Sequence, residues 1–273
     1  MKLIDFDKHF ADFWVEYLHS HMDDYEYLDQ FENDMGHIYE VFLETPADWI
    51  DNKKPCEYFD SFSNPEELVK TISDYIREDI PLPEMLLSRI ASLEKATEEQ
   101  LLKLLSSDHS MHERMVAVTL LREIGSDKPL KTYIDWIVKG EARELIDNAL
   151  ESLEQFAESL ESELLTALPK AQDDGKQALL SLLSRIGQSE EVYSALLDLF
   201  ERLPKHRAEL SSYIGRLGDD RALPVLMDAA ADENTGYLDY IEIRNAIEEL
   251  GGEAPKRSFD ESDPAYSIFK DEA

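Results

Sequence analysis

A small residue directly after an apolar one recurs along this chain at almost constant distance, and that recurrence limits the folds open to it more than any other feature. The series is Ala91, Gly125, Ala157, Gly187, Gly218 and Gly251, with successive spacings of 34, 32, 30, 31 and 33 residues. One position earlier stand Ile90, Ile124, Phe156, Ile186, Leu217 and Leu250. Four positions earlier stand Leu87, Leu121, Leu153, Leu183, Ile214 and Ile247, and eight positions earlier the column is again mostly apolar, with Ala117, Ala149, Leu179, Leu210 and Ile243. Apolar residues at intervals of three and four line one face of an α-helix. A period near 31 residues fits two helices and their turns, a unit that buries its apolar face only by stacking on its neighbours.

Each unit therefore reads as a helical hairpin. The small residue marks the end of the second helix, since glycine reaches left-handed backbone angles freely and alanine crowds little. Acids follow at once: Asp127, Glu163, Glu190 with Glu191, and Asp219 with Asp220. Free amides and the helix dipole favour negative charge at such helix starts. The first helix of each unit comes from runs such as "LLTALPKA" and "VYSALLDLFERL", followed by polar turns such as "SSDHS" and "AADENTG". The expected fold is all-α, an α-α superhelix of five to six helical hairpins.

Helix pairs of this length resemble HEAT repeats, and "GDDRALPVL" with "HERMVAVTLLREIGSDKPL" is most similar to the short bacterial subtype named after phycobilisome lyases. The resemblance covers residues 83–252. Arg114 and Arg207 lie eleven positions before the joint, where the subtype carries a repeated arginine, and Lys176 fills the equivalent place in another unit; Ile146 and Tyr240 depart from it. The resemblance implies that this arginine meets an acid near an inter-repeat turn, so Asp127 and Asp219 are the expected structural partners. Tetratricopeptide repeats have a comparable length, but their Trp, Gly, Tyr and Pro landmarks do not line up here.

Before Pro81 the joints disappear and aromatic residues crowd in, as in "FADFWVEYL", "HIYEVFL" and "CEYFDSF". Phe6, Phe10, Phe13, Trp14 and Tyr17 recur at helical spacing, as do Ile38, Val41 and Phe42. A further helix is expected from "NPEELV", with Asn64 as cap and Pro65 at the first helical position. "ETPADWIDNKKPCEYF" resembles segments that accompany HEAT-type arrays in uncharacterised bacterial proteins, a likeness that carries no activity. Residues 1–80 are thus expected to form an N-terminal helical cap, 81–252 the HEAT-like solenoid and 253–273 a tail. The tail either tucks Tyr266, Ile268 and Phe269 onto the last repeat or stays loose.

Sixty acidic and twenty-seven basic residues give a net charge of -33. Residues 1–80 hold 21 acids and 6 bases, a net -15 in under a third of the chain. Such a surface repels phosphate backbones and anionic headgroups, so neither nucleic acid nor membrane is an expected partner, whereas a basic or neutral protein or peptide is. Cys56 is the only cysteine, which leaves no internal disulfide and no cysteine-based zinc cluster. "MKLIDFDKHF" lacks the pattern of a secretory signal, and the expected location is cytoplasmic.

No nucleophile elbow, P-loop, dinucleotide fingerprint or HExxH motif occurs, and no catalytic residue, cofactor or metal site is expected. His19, His21, Asp23 and Asp24, and His109 with His112 and Glu113, are the only spellings that resemble ligand sets, and their spacing suits solvated helix faces better. On the second helices, the outward stripe lies two, six, nine and thirteen positions before each joint. It places Arg185 and Arg216 at the same position of adjacent units, beside Ser181 and Ser212, as a candidate binding patch for a carboxylate on the concave face that HEAT arrays present; the plainer reading is that the two neutralise Glu154, Glu209 and Glu249 nearby. The expected function is a non-enzymatic interaction scaffold. Two alternatives stand beside it: a small-ligand enzyme or chromophore lyase with an internal pocket, and an acidic inhibitor that mimics nucleic acid.

Overall fold

A computed structural model describes residues 1–21, 33–259 and 264–269, with the backbone alone at 264, 265 and 269. The described residues are all-α, and one isolated antiparallel bridge, Ala47 to Lys53, is the only β feature among them. They divide into two compact units, residues 1–129 and 130–273.

The first unit contains α1 (Phe6–His21), α2 (Met35–Glu44), 3₁₀ turns at Asp48–Ile50 and Pro55–Ser61, α3 (Pro65–Arg77), α4 (Glu84–Ser92), α5 (Lys95–Leu104) and α6 (Met111–Glu123). Helix α3 starts where the sequence places it: the Asn64 side chain accepts from the Glu66 and Glu67 amides, and Pro65 occupies the first turn. The aromatic residues form a core of their own. Phe10 meets Tyr39 at 4.9 Å and Phe42 at 5.4 Å, so α1 and α2 pack through rings. Phe6 is buried against Trp49 and Tyr58.

The unit boundary falls at 129/130, whereas the change of sequence pattern falls near Pro81. The reason lies in α3, which packs on α4, α5 and α6 and buries Leu68, Ile72 and Tyr75 against them. The first hairpin thus shares a core with the segment that precedes it.

The second unit runs α7 (Leu130–Lys139), α8 (Ile146–Glu154), α9 (Glu161–Ala167), α10 (Asp173–Ile186), α11 (Glu190–Arg202), α12 (Arg207–Leu217), α13 (Leu223–Ala231), α14 (Tyr237–Glu249) and a short α15 (Pro264–Phe269). Consecutive helices pair, α7 with α8, α9 with α10, α11 with α12 and α13 with α14; in addition α10 packs on α12 and α12 on α14. The columns four and eight positions before the joints explain this packing. Leu121, Leu153, Leu183, Ile214 and Ile247 are buried, as are Ala117, Ala149, Leu179, Leu210 and Ile243.

Two joints depart from the expected form. Gly125 and Gly218 adopt left-handed angles (φ +62° and +73°), but Ala91 lies inside α4 and Ala157 opens a 3₁₀ turn. Neither alanine takes a left-handed angle, and after α4 the positive φ falls at Glu94, three residues past Ala91. The burial of α4 slips by one residue as well: Leu86 is fully buried where the repeat points to Leu87.

Candidate functional site

Helices α10, α12 and α14 carry their outward stripe on one run of packed neighbours, and the two arginines come together there. Arg185 Nη1 lies 2.7 Å from Glu154 Oε1. Arg216 Nη2 donates to Ser212 Oγ at 3.2 Å, and its guanidinium lies 5.1 Å from the centre of the Tyr213 ring. Partial burial, and then the like charge of Arg185, hold the Arg216 pKa below the usual arginine range, with Glu249 and Glu154 pulling the other way. Ser181 turns from the patch, donating to the Ala178 carbonyl of its own helix at 2.7 Å.

Beside the arginines runs a polar chain that periodicity does not show. The Tyr213 hydroxyl donates to Glu209, the Gln177 amide donates to the other Glu209 oxygen, and the same amide reaches His206 Nδ1 at 3.1 Å. Tyr213 is buried, which together with the Glu209 carboxylate raises its pKa well above the ordinary tyrosine value. Glu209 is therefore engaged by Tyr213 and Gln177, while Glu154 is the acid that meets Arg185.

Asp219 and Arg207 each meet a partner other than the one that the repeat resemblance implies. Asp219 holds Arg221, at 2.6 Å between Oδ2 and Nη2, and caps the following turn through the Arg221 amide. Arg221 also reaches Glu190 at 2.8 Å, linking the starts of two successive units, and covers the Tyr193 ring at 4.2 Å. Arg207 instead lies 5.3 Å over the Phe200 ring and donates to the Phe200 carbonyl. Its side chain starts at the first position of α12 and points back along α11, whereas the Asp219 carboxylate is taken by a residue two positions away. In the first unit Arg114 is half-buried on α6, and Asp127 is exposed beside Lys128.

Of the histidine groups, His109 Nδ1 meets Glu113 at 3.1 Å and His112 is exposed. Asp23 and Asp24 lie outside the described residues, and among the described residues no three His, Cys, Asp or Glu side chains converge on a metal position.

Glu98 escaped the repeat pattern, yet it is the most buried charge of the first unit, with its side chain 3% exposed. It accepts from Ser126 Oγ at 2.8 Å and pairs with Lys95 and Lys128. The Lys128 bond outweighs burial and, with Ser126 and Lys95, holds the Glu98 carboxyl at about 2. Glu113 closes a capping box with Ser110 and also receives Ser73 from α3. Burial alone would raise its pKa, but the bonds from Ser73, Ser110 and His109 bring it down to about 2. The Ser-x-x-Glu spelling at 110–113 announces this box; nothing in the local sequence announces the depth of Glu98.

No protein-family model matches the sequence, and no curated protein or solved structure matches it. No helix among the described residues is long and apolar enough to cross a membrane.

Proposed function

We propose that the helical hairpins stack as a HEAT-like solenoid whose second helices hold a partner protein, and that the chain acts as a non-enzymatic interaction scaffold. One observation carries this reading: α10 packs on α12 and α12 on α14, which sets Arg185 and Arg216, one repeat apart, on neighbouring helices, near enough for the Arg185 charge to lower the Arg216 pKa. Such a row offers a wide, pre-formed surface at little ordering cost. The partner is a basic or neutral protein or peptide, drawn by the net charge of -33 and oriented by a local carboxylate set against Arg185, Arg216 and Ser212. Ser181 contributes a small contour here, since its hydroxyl is turned to its own helix.

The test compares capture from native lysate by the wild-type chain, by Arg185→Glu with Arg216→Glu, and by Lys103→Glu as a remote charge control. The scaffold reading expects one prey that the double variant loses and the control retains. Equal capture by all three removes Arg185 and Arg216 from the proposal.

A further inference from the structure

The cleft between α1 and the turn after α2 has a chemistry that the row of second helices lacks. On α1, His9, Asp12, Phe13 and Glu16 recur at three and four and share one face. With Asp48 and Trp49 from the following 3₁₀ turn they line a cavity of about 520 Å³. Its lining is aromatic: the His9 and Trp49 rings lie flat on each other, 3.8 Å apart and 4° from parallel, Phe42 stacks 6.4 Å from Trp49, and His9 and Phe13 are half-exposed to the cleft. Its rim is anionic, since Asp12, Glu16 and Asp48 are all exposed. Among the described residues the ion pairs of this unit go to other acids, as Lys54 to Glu44, Arg77 to Asp74, and Lys95 with Lys128 to Glu98. The turn that carries Trp49 is held in place by its own backbone, with Asn52 N–H donating to the Ala47 carbonyl at 2.9 Å and Ala47 N–H to the Lys53 carbonyl at 3.0 Å.

Carboxylates around an aromatic lining complement a cation that has both a flat apolar face and several donors. A guanidinium fits that description better than an ammonium: it is planar, more weakly hydrated, stacks on rings and bonds carboxylates through two N–H groups at once. We propose that this cleft binds an arginine side chain displayed on a basic segment of a partner protein. The site lies in the first unit and stands independently of the reading given to Arg185 and Arg216.

The test follows the Trp49 indole resonance of the full-length protein, assigned with Trp49→Phe, during titration with acetyl-Gly-Arg-Gly-Arg-Gly-amide. The control is the same peptide carrying citrulline, which keeps the shape and removes the charge. The proposal expects a saturable shift with the arginine peptide and binding weaker by about tenfold or more with citrulline. Asp12→Asn with Glu16→Gln and Asp48→Asn, near-isosteric changes of exposed side chains, should weaken the arginine peptide by a similar factor. A still Trp49 resonance, or citrulline binding as tightly as arginine, overturns the site; both readings use the wild-type chain and do not depend on how the triple variant folds. Arg185→Glu with Arg216→Glu should leave the titration unchanged, so a failure of the helical-face reading is told apart from a failure here.

Discussion

The Tyr75 hydroxyl accepts from the Ile4 amide at 3.0 Å and donates to the Ile4 carbonyl at 3.1 Å, so one side chain satisfies both backbone groups of a residue 71 positions away. Burial, partly offset by the Ile4 bond, pushes the Tyr75 pKa up to about 12. Tyr75→Phe keeps the ring and leaves Ile4 with two buried polar groups to satisfy. The expected loss is about 1–3 kcal/mol, read by urea unfolding; an unchanged midpoint would show that water replaces the hydroxyl at no cost.

Acid should weaken the first unit through Glu98 and Glu113. Their carboxyls titrate near 2 in the folded chain, against an ordinary value of 4.5, so the folded state binds fewer protons than the unfolded state in that interval. Their stabilisation is whole above about pH 4.5 and is lost as pH falls toward 2. Glu98→Gln should cost about 1–2 kcal/mol at pH 7, held down because Lys95 and Lys128 can turn to solvent, and nearly nothing at pH 2. A constant difference between the two chains across that range would sink the assignment.

Gly175 offers a test in which helix propensity and packing disagree in sign. In the first turn of α10, an added Cβ would stand 2.5 Å from the Ile137 carbonyl oxygen of α7, a backbone atom with nowhere to go. Propensity alone favours Gly175→Ala by up to about 1 kcal/mol. The close approach predicts the reverse, a loss of about 1–3 kcal/mol measured by thermal or urea unfolding. A more stable alanine variant would mean that α7 and α10 sit farther apart.

Capture of the proposed partner should weaken as salt rises, because long-range attraction toward a chain of charge -33 is screened over about 8 Å at physiological ionic strength. Association rates measured from 50 mM to 500 mM salt check this. A flat profile would leave shape, and not charge, as the source of encounter.

Helical class is legible because the buried columns recur at a fixed offset from a joint: Leu183, Ile214 and Ile247 are placed by counting alone, whereas in α4 the count points to Leu87 and Leu86 is the buried residue. Counting fails at Ala91 and Ala157, which lie inside α4 and at the start of a 3₁₀ turn. It also fails for side chains that reach across elements. Arg221 stands unremarked inside the run "GDDRALPVL", yet its length lets it join Asp219 to Glu190. Register sets Arg185 and Arg216 at equivalent positions of packed helices, while the burial of Glu98 and the cleft at Trp49 follow from contacts between segments that no local spacing encodes.

The tail closes one surface of the second unit. Phe259 packs on Tyr237 and Tyr240, Tyr266 on Tyr237, and the Arg257 guanidinium donates to the Ala230, Glu233 and Thr235 carbonyls while covering the Phe259 ring. Ile268 remains 71% exposed, so only part of the tail is spent on this contact. Here the chain's own residues bury the Tyr237 and Tyr240 rings of α14, so that face is not open to an outside partner while Phe259 and Tyr266 stay in place.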